Sequence, residues 1–213
     1  MAALRTVIRG DLPPVGNPIS TDIENREILI FPDYSTVLLA SGTMSLALAM
    51  LVVKGRYQEV SRPEVILPAY GCPDLVSAAV YAGLNPVLVD VDQEFHGFNL
   101  DCLADAITEN TVAVVAVNFL GIPDRLSQIR SILKCWPKVF LIEDNAQWFP
   151  ELNPNQELTG DFICLSFGRG KPVSLLGGGA LLIRDSAYAS DRSIESVGPN
   201  TSSKVGLNLK LRA

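Results

Sequence analysis

The chain has a single histidine, His96, and its four cysteines (Cys72, Cys102, Cys135 and Cys164) fall in no CxxC or zinc-like spacing. No metal centre is expected. The cysteines read as reduced thiols of a cytosolic protein, three of them in the core. Basic clusters are missing too. The 17 Lys and Arg are outnumbered by 23 Asp and Glu, for a net charge of −6, so nucleic acid is not expected as a partner. No apolar run approaches the length of a membrane-spanning helix. The first residues, MAALRTVIRGDLPP, lack the apolar core of a signal peptide. There are no internal repeats and no low-complexity tract. The first strand-to-helix turn is ASGTMS rather than GxGxxG, which argues against a nicotinamide dinucleotide.

What the chain does have is apolar content, 48% of its residues. That suits a parallel sheet buried on both faces, whose strands are near-continuous apolar runs, or a large apolar surface kept for a partner. Apolar runs and helical patterns alternate. Strands are predicted at Val37–Ala40, Val65–Leu67, Pro86–Val91, Thr111–Val117, Val139–Ile142, Phe162–Leu165 and Ala180–Ile183. MSLALAMLVVK, apolar all round, reads as a buried helix. A second helix runs from Pro73 to Ala82 and is closed by Gly83. A third, capped by Asn99 or Asp101, carries Leu100, Leu103 and Ile107 on one face, and a fourth carries Leu126, Ile129 and Leu133. The alternation predicts an α/β fold, a three-layer α/β/α sandwich around a mostly parallel sheet. The close spacing of the last two strands admits an antiparallel member. Residues 1–33, rich in Pro and Gly, read as an arm preceding a domain over 34–213, and 186–204 as a polar surface loop.

The chemistry gathers between Leu141 and Gly179. Asp144 lies at the carboxyl end of a strand, Ser166 ends the next, and Lys171 follows in the glycine-rich turn GRGKPVSLLGGG. Ligands of open α/β sheets bind at that edge. A lysine there can form a Schiff base with a carbonyl cofactor, and an acidic partner for a pyridinium nitrogen belongs to pyridoxal 5′-phosphate (PLP). Ser41-Gly42-Thr43 opens the first helix and could hold a phosphate there. Taken alone, it reads more readily as a plain helix cap.

Ordered along the chain are RGDLPPVGNP, ASGT, ILPAY, AGLNPVLVDVD, VNFLG, IEDNAQ, GDFICLSF, the lysine turn, GGGALLI and GLNLKL. In that order and spacing the sequence resembles the large domain of the DegT-like (DegT/DnrJ/StrS) sugar aminotransferases, which are fold type I PLP enzymes. The resemblance implies that Lys171 holds the cofactor and moves the proton. It implies that Asp144 pairs with the pyridine nitrogen and that Gln147 lies beside the ring hydroxyl. Gly42, Thr43 and Ser166 would bind the phosphate. Asn208 would reach the cofactor phosphate of a neighbouring subunit in a homodimer. The position that often carries an aromatic ring over the cofactor is Cys72 here, with Tyr70 close by.

Other departures are Asn118 where a histidine is common, Lys210 where an arginine is usual, and GRGKPVS for the commoner Thr-Lys-Asn turn. The family also continues past GLNLKL into a smaller C-terminal domain, whereas this chain stops at Ala213, so a truncated chain with uncovered apolar surface is expected. The function implied is amino transfer from glutamate to a keto sugar nucleotide. The alternative is a non-catalytic PLP-binding or interaction protein derived from the family. Lys171 argues against the dehydratase-like relatives, which lack that lysine.

Overall fold

The computed structural model of the protein describes residues 31, 33–149 and 158–184. Seven strands form one sheet: β1 (Ser35–Leu39), β2 (Glu64–Pro68), β3 (Asn85–Val89), β4 (Thr111–Val117), β5 (Phe140–Asn145), β6 (Phe162–Ser166) and β7 (Gly179–Ile183). Their order across the sheet is β1-β7-β6-β5-β4-β2-β3. The pairings β2·β3, β2·β4, β4·β5 and β5·β6 are parallel, and β7 runs antiparallel to both β6 and β1. The antiparallel member is thus β7, and β1 points the same way as β6. All strands but β7 therefore present their carboxyl ends at one edge.

Four α-helices are described: α1 (Gly42–Gly55), α2 (Asp74–Ala82), α3 (Leu100–Ala106) and α4 (Leu126–Leu133). Helices α1 and α2 pack on one face of the sheet, in a core that takes in Leu48, Val52, Ala79, Val65, Ile142 and Cys164. Leu103, Ile129 and Leu133 bring α3 and α4 onto the other face, against Ile66, Val114 and Leu141. These are the three layers that the alternation implies. The period of two within β5 does the sorting: Leu141 faces α4, and Ile142 faces α1. Among the described residues no helix is long and apolar enough to cross a membrane.

Local signals act where the sequence puts them. Gly83 ends α2 in the left-handed region, φ 72°. Asn99 rather than Asp101 caps α3, its side chain accepting from the backbone N–H of Asp101 and Cys102. Strand limits differ from the apolar runs by a residue or two. The largest change is at β5, which runs on through Glu143, Asp144 and Asn145. Backbone pairing to β4 and β6 holds the chain extended past its last aliphatic residue.

The expectation of three core cysteines is corrected: Cys164 is buried, whereas Cys72, Cys102 and Cys135 are exposed. Cys72 lies in a loop, Cys102 in the first turn of the short α3, and Cys135 just past the end of α4. None of those positions faces the sheet. Most of the predicted arm, the loop 186–204 and Asn208 lie outside the described residues.

Candidate active site

The site is built where β1, β5 and β6 end. Ser41 caps α1, its hydroxyl accepting from Met44 N–H at 3.1 Å. The next residue, Gly42, is pressed against β6. A Cβ placed on it would stand 2.6 Å from Ser166 Cβ, so only glycine allows this approach. Gly179 closes on Ser41 in the same way, with a Cβ position 2.5 Å from the Ser41 carbonyl carbon. The start of α1, with its unpaired N–H groups, is thereby fixed beside Ser166.

The lysine turn is tied at both ends. Phe167 N–H donates to the Gly178 carbonyl (3.0 Å), Leu175 N–H to Phe167 (2.8 Å), and Gly178 N–H to Ala40 at the end of β1 (3.1 Å). Gly170 takes φ 82° just before Lys171. The lysine side chain turns back over Gly168, whose Cβ position lies 3.9 Å from Lys171 Cγ and 3.8 Å from Ser166 Oγ. Lys171 and Ser166 thus flank one small volume.

Asp144 faces the α1 side of the sheet, directly across from Cys164 on β6. It is 9% exposed. Burial pushes its carboxyl above the usual carboxylate range. A hydrogen bond from Ala146 N–H (2.9 Å) and the positive charge of Lys171 pull it down, and Asp74 pushes it up. A carboxylate taken from water in this way gains most from a cation placed against it.

Behind Asp144 lies a chain of amides. Asn118 at the end of β4 donates from Nδ2 to Asn145 Oδ1, accepts from Asp124 N–H at 2.8 Å, and through its own N–H bonds the Asp144 carbonyl. Gln147 Oε1 accepts from Leu120 N–H at 2.8 Å, steadying a non-glycine residue at φ 54°. In this structure Gln147 therefore serves the 119–121 turn. Cys72 is exposed in the loop after β2. Tyr70, two residues before it, is 68% exposed and meets Phe119 edge-on at 5.6 Å between ring centroids.

Thr43, Ser166, Lys171 and Asp144 therefore lie along one edge, with Cys72 and Gln147 on flanking loops. Sequence reasoning passed over the contacts that hold them: the wedge of Gly179, the Asn118–Asn145 pair, and Asp74, which binds Thr43. The only sequence signal for Asp74 was its place at the start of a helix. An open depression of 760 Å³ at the opposite end of the strands, lined by Lys54, Arg62 and Asn85 among others, gathers none of these groups.

The sequence pattern of the DegT/DnrJ/EryC1/StrS aminotransferase family matches residues 33–212. The chain belongs to this family. Among curated relatives, it is 31% identical over 147 residues to the UDP-N-acetyl-3-dehydro-α-D-glucosamine 3-aminotransferase of Acidithiobacillus ferrooxidans, covering 68% of this chain and 38% of that protein. It is 32% identical over 146 residues to the GDP-4-keto-6-deoxy-D-mannose 3-dehydratase of Yersinia pseudotuberculosis, covering 68% and 37%. The aminotransferase structure from Psychrobacter cryohalolentis superposes with a TM-score of 0.65 at 22% identity, covering 76% of this chain and 40% of that one. The chain thus spans about two fifths of the length of these relatives. The fold of this DegT-family member is that of the sugar aminotransferases.

Proposed function

We propose that this chain supplies the PLP-binding part of an aminotransferase that moves an amino group from glutamate to a keto sugar nucleotide, with residues 34–213 as the cofactor-binding unit. One observation carries the reading. A buried carboxylate, Asp144 on β5, and Lys171, in the turn that lies beside Ser166, share the carboxyl edge of the sheet with the close pair of Gly42 and Ser166. The donor set fits the cofactor at three points. The start of α1, Thr43 and Ser166 suit the phosphate; Asp144 suits a protonated ring nitrogen; Lys171 suits the aldehyde. Gly42 lets Ser166 stand directly beside the start of α1, where any Cβ would meet it.

PLP, when bound, supplies an electron sink for the bond that breaks. The chain's own residues do the rest. Asp144 would keep the proton on the ring nitrogen by offsetting its charge. Lys171 Nζ would hold the aldehyde carbon and, as a free amine, would carry a proton from the donor's α-carbon to the cofactor, acting first as base and then as acid. Cys72 or Tyr70 would cover the ring. Gln147 would reach the ring hydroxyl, and Asn208 would bind the phosphate in a homodimer. The relatives of this chain include a dehydratase at the same level of identity as an aminotransferase. Lys171 is what favours amino transfer.

The test is the visible absorbance of purified protein after addition of PLP and gel filtration. A retained band is expected, absent from Lys171→Ala. Borohydride should fix the adduct on the peptide bearing Lys171, and glutamate should bleach the band in the untreated protein. An adduct on another lysine would overturn the assignment. A stable band that glutamate leaves unchanged would make the protein a binder rather than a transferase.

A further inference from the structure

The proposed function gives Thr43 to a phosphate, and the role inferred for Asp74 rests on that reading. The Thr43 hydroxyl already has a partner. It donates to Asp74 Oδ2 at 2.7 Å, across 31 residues of sequence. Thr43 is in the first turn of α1, and the exposed Asp74 opens α2. The two helices begin side by side, so the Asp74 carboxylate lies against the start of α1. The unpaired N–H groups there stabilise negative charge. Asp74, following the carboxyl end of β2, stands at the same edge of the sheet as Asp144. It therefore does at Thr43 what a phosphate would do: it accepts the hydroxyl hydrogen and sets an anion at the helix start.

We propose that Asp74 is a built-in competitor for the cofactor's phosphate, and that a phosphate binds at Thr43 only as Asp74 lets the hydroxyl go. One hydroxyl donates one hydrogen, so carboxylate and phosphate cannot both take it. Their charges also repel at close range. Being exposed, Asp74 can turn into water once displaced, which keeps the competition reversible and sensitive to salt. The site would then hold its own anion when empty and release the cofactor more readily than its other contacts imply.

The experiment titrates wild type, Asp74→Asn and Asp74→Ala with PLP and, separately, with pyridoxal, which lacks the phosphate. Asparagine keeps the shape and removes the charge, and alanine removes both. Loss of one close, solvent-screened repulsion should tighten PLP binding by roughly tenfold at low salt. The gain should shrink near 1 M salt, where the Debye length is about 3 Å. Pyridoxal affinity should stay the same. Weaker or unchanged PLP binding in both variants, with the wild type still forming its Lys171 adduct, would overturn the competition and leave the site assignment standing. An equal gain for pyridoxal would also overturn it, since Asp74 would then act on the ring. Failure of all three proteins to bind PLP would overturn the site assignment and the competition together.

Discussion

Gly42 and Ser166 show how closely the site is drawn. Gly42→Ala would drive a methyl group into Ser166, with Ser166 Cα itself 3.3 Å away. Overpacking against backbone typically costs about 1–3 kcal/mol, more than the roughly 1 kcal/mol that alanine gains over glycine in a helix. Lower stability in urea and weaker retention of PLP are expected. Ser166→Gly should recover part of the stability in the double variant, because it removes the Cβ that is struck, and a double-mutant cycle would read the coupling. The family resemblance implies that Gly42 and Ser166 bind a phosphate. It could not show that they touch, since the contact spans β1, α1 and β6.

Three buried carboxyls, Asp124, Glu143 and Asp144, are all pushed up, in each case chiefly by desolvation. A group raised in this way contributes stability that is fully present below its unfolded value. For Glu143 that value is 4.5, and the contribution is lost as pH rises through the higher folded value. Glu143 is 0% exposed and accepts from the N–H groups of Thr159 (2.8 Å) and Gly160. Glu143→Gln keeps an acceptor and removes the titration. Its Tm relative to wild type should therefore rise as pH climbs above 4.5; a difference that stays flat with pH would contradict the assignment.

At the scale of elements, helix ends were the legible part. Asn99, Gly83 and the Ser41 turn all act where their residue types predict, because a cap satisfies backbone groups within a few residues of itself. Asn99→Ala should lower stability by about 1 kcal/mol, measured by denaturant midpoint. It should leave PLP binding alone, since α3 packs on the face away from Asp144. The end of β5 was less legible. Hydrophobicity stops at Ile142, but the strand continues because hydrogen bonds to β4 and β6 hold the polar residues extended. That continuation sets Asp144 on the α1 face and Asn145 on the other.

For the whole molecule, exposure of the cysteines gives a direct check. Three thiols should react with a chromogenic disulfide in the native protein. Cys164, buried and with its thiol pushed well above the usual range by that burial, should react only after unfolding. PLP should slow alkylation of Cys72 if that residue covers the ring. The expectation of three core thiols failed because cysteine's usual burial is a preference of type, whereas exposure depends on which side of a loop or helix meets the sheet.

The alternation of apolar runs and helices and the caps were set by local sequence, and the lysine, aspartate and serine of the candidate site were read from it. Each depends on residues a few positions apart, or on a family pattern carried in order along the chain. The strand order, the reversal of β7, the closure of Gly42 on Ser166 and the bond from Thr43 to Asp74 were decided only in three dimensions. They join segments far apart in the chain, and packing rather than local preference chooses which strand ends meet.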